Sequence, residues 1–267
     1  MILNQILHKR LKHHVHLKHF LLNEPKPSRL EDNNYFLDPS NEEVQEFLLS
    51  LMGEAIQKYE IDGISINYLK YPDLEDRNNF NETWGYTKNA RQEFKGQYNT
   101  DPVNLTKNSP NLSDWNKYRA DKISGFVKKL DSLKSLKEDI EISLSVAPDN
   151  EFAYQDYKNW GIRENNYMLL PQIKSSDEEY SKIVLNEIKN NLGDEARIYP
   201  VYYDAYLEEK PRFLFNKIRT SREIGINGII LYDYDSISKD YYDALRLCIF
   251  REHSQKKQSH IYEREEK

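Results

Sequence analysis

Four positions hold polar side chains where an apolar run ends, the place where a strand hands a residue to a site. Asn67 closes Ile61-Asp62-Gly63-Ile64-Ser65-Ile66-Asn67, and Asp149, Asp204 and Asp233 each follow a run that reads as a strand. A carboxylate so placed can give or take a proton or attack an electrophilic carbon, provided burial and a partner tune it. The same residue type more often caps a helix or ties a loop. An asparagine there is neutral: it can hydrogen-bond a ligand, but it is a poor nucleophile and cycles no proton near pH 7. His14 and His16 share one face of a further alternating run. That spacing can chelate zinc, but no third ligand is evident, so neither metal nor cofactor is assigned.

The rings are mostly phenols, 20 tyrosines against three tryptophans. A phenol offers an apolar face and a hydroxyl, which suits a groove for a polyhydroxylated ligand. Most of the tyrosines are expected at half-buried structural positions. Tyr71, Trp84 and Tyr86 are the rings singled out for a site, with Trp160 equally a core residue.

Strands and helices must place these groups. Ser40-Asn41-Glu42-Glu43 has the form of a capping box with Ser40 as N-cap. Behind it Val44, Phe47, Leu48, Leu51, Ala55 and Ile56 repeat at helical spacing. The strand over 61–67 follows almost at once. If Ile64 and Ile66 face helices, Ser65 and Asn67 face the opposite side, because strand side chains alternate. Further strands are expected over 13–22, 140–146, 167–173, 197–203 and 228–232. Helices are expected over 88–95, after Ser113, over 178–190, from Pro211 and from Ser238. Alternating strands and helices define an α/β chain with parallel βαβ units. Six strands are counted, against eight in a full barrel of about 250 residues. Residues 73–112 form a long polar excursion, expected to serve as lid or ligand platform. The reading is one domain over 1–250, carrying that insertion, and a charged tail over 251–267.

The net charge of −6 and the lack of a basic stripe past the N-terminus argue against nucleic acid as a partner. No stretch is long and apolar enough to span a bilayer, and residues 1–10 lack the order of a signal peptide. The single cysteine, Cys248, lies in an apolar run and reads as a core filler.

The segment Asp62 to Pro72 resembles the "DGIHFDYIRYP" motif of glycosyl hydrolase-like family 10. Other stretches follow in the family's order: Leu7–Arg10, His14–Leu17, Tyr35–Asn41, Trp84–Thr87, Asp101–Leu105, Trp115–Arg119, Leu170–Gln172 and Gly228–Ser236. The resemblance implies a TIM-type barrel with a role in glycan hydrolysis, often in the cell envelope. It also implies that the chain starts just before the third strand. A partial barrel with two open sheet edges is then expected, and such edges invite self-association.

The family's strand-end aspartate falls on Asn67, its histidine on Ser65, its arginine on Lys70, a tyrosine on Lys174 and a tryptophan on Lys18. His16, Ser65, Tyr68, Lys70, Tyr71, Trp84, Tyr86 and Gln172 are the ligand contacts that the resemblance implies. Glycoside hydrolysis ordinarily takes two carboxyl groups, so a glycan-binding chain with weakened or lost hydrolysis is expected. Two alternatives stand beside it: an active glycosidase using Asp149, Asp204 or Asp233, and a non-catalytic piece that pairs through its open edges.

Overall fold

The computed structural model describes residues 37–72, 83–148, 151–203, 211–226, 228–232 and 238–246. The first helix, α1 (Glu42–Lys58), begins one residue later than the capping box implies. Asn41 is the N-cap, its Oδ1 accepting from Glu43 N at 2.9 Å. Ser40 is taken by Asp38, to whose Oδ1 it donates from both N and Oγ, at 2.8 and 2.7 Å. The next oxygen along the chain therefore does the capping.

From there β1 (Gly63–Ile66), α2 (Lys88–Tyr98), α3 (Leu112–Lys129), β2 (Glu141–Val146), β3 (Met168–Ile173) and α4 (Glu178–Leu192) follow. The described elements end with β4 (Arg197–Ile198), β5 (Val201–Tyr203), α5 (Pro211–Glu223), β6 (Ile230–Tyr232) and α6 (Lys239–Ala244). Helix α3 starts just before the expected Ser113, and its N-cap Asn111 makes no side-chain cap bond.

The sheet runs β1-β2-β3-β5-β6, with β4 beside β3, and every pairing is parallel. Strands β4 and β5 are the two halves of the expected strand over 197–203. Pro200 has no N–H to give the ladder, yet pairing passes through the break. Tyr199 N donates to Leu169 O, and Ile230 N to Pro200 O, each at 2.9 Å. All strands expected from residue 61 onward are present, whereas the one expected over 13–22 lies outside the described residues, as does Cys248.

Register sorts the side chains onto two faces. Ile64 beside Ile142, Leu144 beside Leu169 and Ile173 beside Tyr202 share one of them. They belong to one core with Ile123, Phe126 and Val127 of α3, Leu185 and Ile188 of α4, and Leu214 and Ile218 of α5. Each such side chain, fully buried, contributes roughly 1.5–3 kcal/mol. The other face carries Ser65 beside Ser143, Gln172 beside Val201 and Tyr203 beside Tyr232. The sheet curls toward that polar face into a partial TIM-type barrel with helices outside. At its N-terminal end Arg197 reaches over β3 to Glu141, Nη2 to Oε1 at 2.7 Å. Gly63 lets β1 and β2 start close together, since a Cβ there would lie 2.7 Å from Glu141 O.

The described part of the long excursion is packed. Phe94, Ala90, Trp115 and Tyr118 form a second small core with Tyr86, Tyr98 and Leu105 against it. Arg91 closes it with a two-pronged pair to Asp101, at 3.0 and 2.6 Å. Residues 73–82 lie outside the described set. Trp160 is core, 2% exposed, its Nε1 donating to Ser124 Oγ at 3.0 Å.

Candidate functional site

Alternation carries Asn67 onto the polar face just past the end of β1. Its Oδ1 accepts from Tyr68 N at 2.9 Å and from Gln172 Nε2 at 3.0 Å, reaching over β2 to the end of β3. A backbone N–H can only donate, so the atom facing Tyr68 is the oxygen, and Gln172 must present its nitrogen. Tyr68 then turns the chain with a left-handed φ of 59° and stands 60% exposed. Such a backbone is unfavourable for a residue with a Cβ, and surrounding bonds hold it there.

Gln155 makes one set of those bonds. Its Nε2 donates to Leu69 O at 2.8 Å and Ser145 O at 3.1 Å, while its Oε1 accepts from Ala147 N at 2.8 Å. The loop after β1 is thus tied to the end of β2. Further along the same face Tyr203 and Tyr232, paired in register, hold their rings 5.1 Å apart and tilted by 54°. Asn67, Gln172, Tyr203 and Tyr232 therefore follow one another along the C-terminal rim of the sheet, the side on which barrel enzymes carry their sites.

Ser65 lies on the same polar face, exposed, one layer below Asn67. Lys70 is half-buried in the loop beyond Tyr68. Tyr71 and Trp84, expected as ligand platforms, are core residues at 1% and 8% exposure. Tyr71 packs edge-on to Tyr154 at 5.5 Å, and its phenol is pushed well up by burial, then by Asp38. Tyr86 is partly buried, its hydroxyl 2.7 Å from Thr83 Oγ1 and its ring 5.4 Å from Trp115. Tyr71 and Trp84 thus join the main core with Tyr154, while Tyr86 packs against the small core of the excursion. His16, Asp149, Asp204 and Asp233 lie outside the described residues. Among the described residues no carboxylate stands on the polar face at the C-terminal end of a strand, and no cluster of three metal-ligating side chains occurs.

Arg119 holds the excursion to the rim loops. It is fully buried, donating from Nη1 to Trp84 O at 2.8 Å and from Nη2 to Asn116 Oδ1 at 2.6 Å. Its guanidinium lies 3.8 Å over the Tyr154 ring and 5.2 Å over that of Trp115. Burial pulls its pKa below the usual value. Sequence reasoning missed the parts played by Gln155, Arg119, Tyr203 and Tyr232. The tyrosines had a legible signal, since they fall on the inward parity of their strands. A lone loop glutamine had none.

Parallel strands, outer helices and a polar rim at the strand ends make this a TIM-type β/α protein. The chain belongs to the Glycosyl hydrolase-like 10 family, which it matches over residues 17–195. An S-layer-related protein of Niallia circulans is 29% identical over 143 residues, which cover 49% of this chain and 9% of that protein. The chain thus spans about a tenth of that relative's length. Among solved structures it is similar to the catalytic domain of a beta-amylase from Paenibacillus polymyxa, with a TM-score of 0.49 and 12% identity. That match covers 78% of this chain and 67% of the other. No helix among the described residues is long and apolar enough to cross a membrane.

Proposed function

We propose that this chain binds a glycan across the C-terminal rim of its sheet and hydrolyses it weakly or not at all. The observation that carries the reading is Asn67 just past the end of β1, with its oxygen occupied by Tyr68 N and Gln172 Nε2. Hydrolysis asks for an acid and a second carboxylate as nucleophile or base. An amide supplies neither, yet it still donates to a sugar oxygen. Ser65, Lys70 and His16 are proposed as further polar contacts. Tyr68, Tyr203 and Tyr232 offer ring faces against which the C–H face of a sugar can stack. The description of the Niallia relative favours a glycan of the cell surface.

Calorimetric titration with cell-wall glycan fragments and with neutral oligosaccharides tests binding, and reducing-end release tests turnover. Saturable binding without release, with release appearing in Asn67→Asp, is the expected result. Release by the unaltered chain that Asp149→Asn, Asp204→Asn or Asp233→Asn abolishes would replace this reading with an active glycosidase. An absence of glycan binding at millimolar ligand would refute it.

A further inference from the structure

Gln172 entered as a ligand contact, but one N–H of its amide is given to another residue. Its Nε2 lies 3.0 Å from Asn67 Oδ1, a contact between residues separated by 105 positions and by one intervening strand. Tyr68 N adds a second donor at 2.9 Å, brought there by the left-handed turn at Tyr68. Both donors converge on one oxygen, and that oxygen has two lone pairs. What position 67 can still offer a ligand is the Nδ2 group, which only donates.

We infer that Gln172 is a positioning residue for position 67. With Tyr68 N it forms a two-donor cradle that directs the Asn67 amide nitrogen at the ligand and would hold a carboxylate ionised in the same place. The inference deepens the glycan-binding reading and rests on it for the ligand. It makes the site at 67 a hydrogen-bond donor, so the ligand must present an acceptor there, such as a ring, glycosidic or carbonyl oxygen. The cradle itself is a property of the free protein.

The test exploits that separation. In Asn67→Asp, a carboxylate accepting from two N–H donors titrates below the usual carboxylate range, because those bonds favour the charged form. Carbon-13 NMR of the selectively labelled side chain reads the midpoint without any glycan. Adding Gln172→Met keeps the length and removes the donor, so the midpoint rises by about half a pH unit or more. Adding Gln172→Glu instead sets a like charge beside it, and the midpoint rises further. The expected order is therefore glutamine lowest, methionine next, glutamate highest. A side chain that merely fills space would leave the glutamine and methionine midpoints equal, and that result would overturn the inference. Failure of glycan binding with the order intact would overturn the functional reading alone.

Discussion

Replacing Arg119 by lysine is expected to harm this protein more than replacing it by methionine, although lysine keeps the charge. The guanidinium is fully buried, and its partners are neutral: the Trp84 carbonyl, the Asn116 side chain and the Tyr154 ring. Each hydrogen bond from a charged donor contributes about 1.5–3 kcal/mol, and a desolvated cation–π contact about 2. Against them stands a desolvation penalty of several kcal/mol. Arg119→Met removes the bonds and the penalty together. What remains is an unsatisfied Trp84 carbonyl, a loss of about 1–3 kcal/mol. Arg119→Lys retains the buried charge, reaches one acceptor at best and loses the flat stack, a loss of about 3–5 kcal/mol. Urea unfolding at neutral pH measures both, read as midpoint shifts at constant slope. Because burial favours the neutral amine, the lysine variant's deficit should shrink as the pH rises toward the ordinary lysine range. A lysine variant as stable as the native chain, or more stable than the methionine variant, would show that the fork and the ring stack do not hold this junction.

Gly63→Ala is expected to lose about 1–3 kcal/mol, because the new methyl would lie 2.7 Å from the Glu141 backbone oxygen; denaturant titration checks it. Tyr68→Gly should leave stability unchanged or raise it by up to about 1 kcal/mol by relieving a left-handed residue. The same change should weaken glycan binding by about 3–10-fold through loss of the ring, and calorimetry separates the two effects. Burial pushes the phenols of Tyr154 and Tyr202 up to about 12, whereas an unfolded tyrosine ionises near 10. A group raised on folding favours the native state below its unfolded value and ceases to do so as the pH climbs through its folded value. Stability should therefore fall from about pH 10 upward. Ultraviolet titration should show a set of tyrosines ionising together with the loss of circular dichroism, and smooth ionisation of all of them in a folded chain would contradict this.

Much of the architecture could be read along the chain because it depends on local rules. The runs at 61–67, 140–146 and 167–173 became β1, β2 and β3. The 197–203 run became β4 and β5, divided only where Pro200 interrupts the ladder. The inward parity of Ser65 and Asn67 followed from alternation alone. Capping was less secure: Asp38 captured Ser40, and the helix moved its cap to Asn41. That competition lies between close neighbours, but nothing in the residue types says which oxygen wins.

Sequence by itself determined the α/β class, the family motif around position 67 and the neutral amide that stands there. Tertiary structure alone decided which aromatic residues are open to a ligand. Tyr71 and Trp84 sit in motifs next to the site, yet they are buried in the main core, Tyr71 against Tyr154 and Trp84 where Arg119 holds its carbonyl. It also brought Gln172 to Asn67, across a strand and 105 residues of chain. The reason is physical: periodicity and caps act within a few residues, whereas curvature of the sheet sets which inward side chains from different strands can touch.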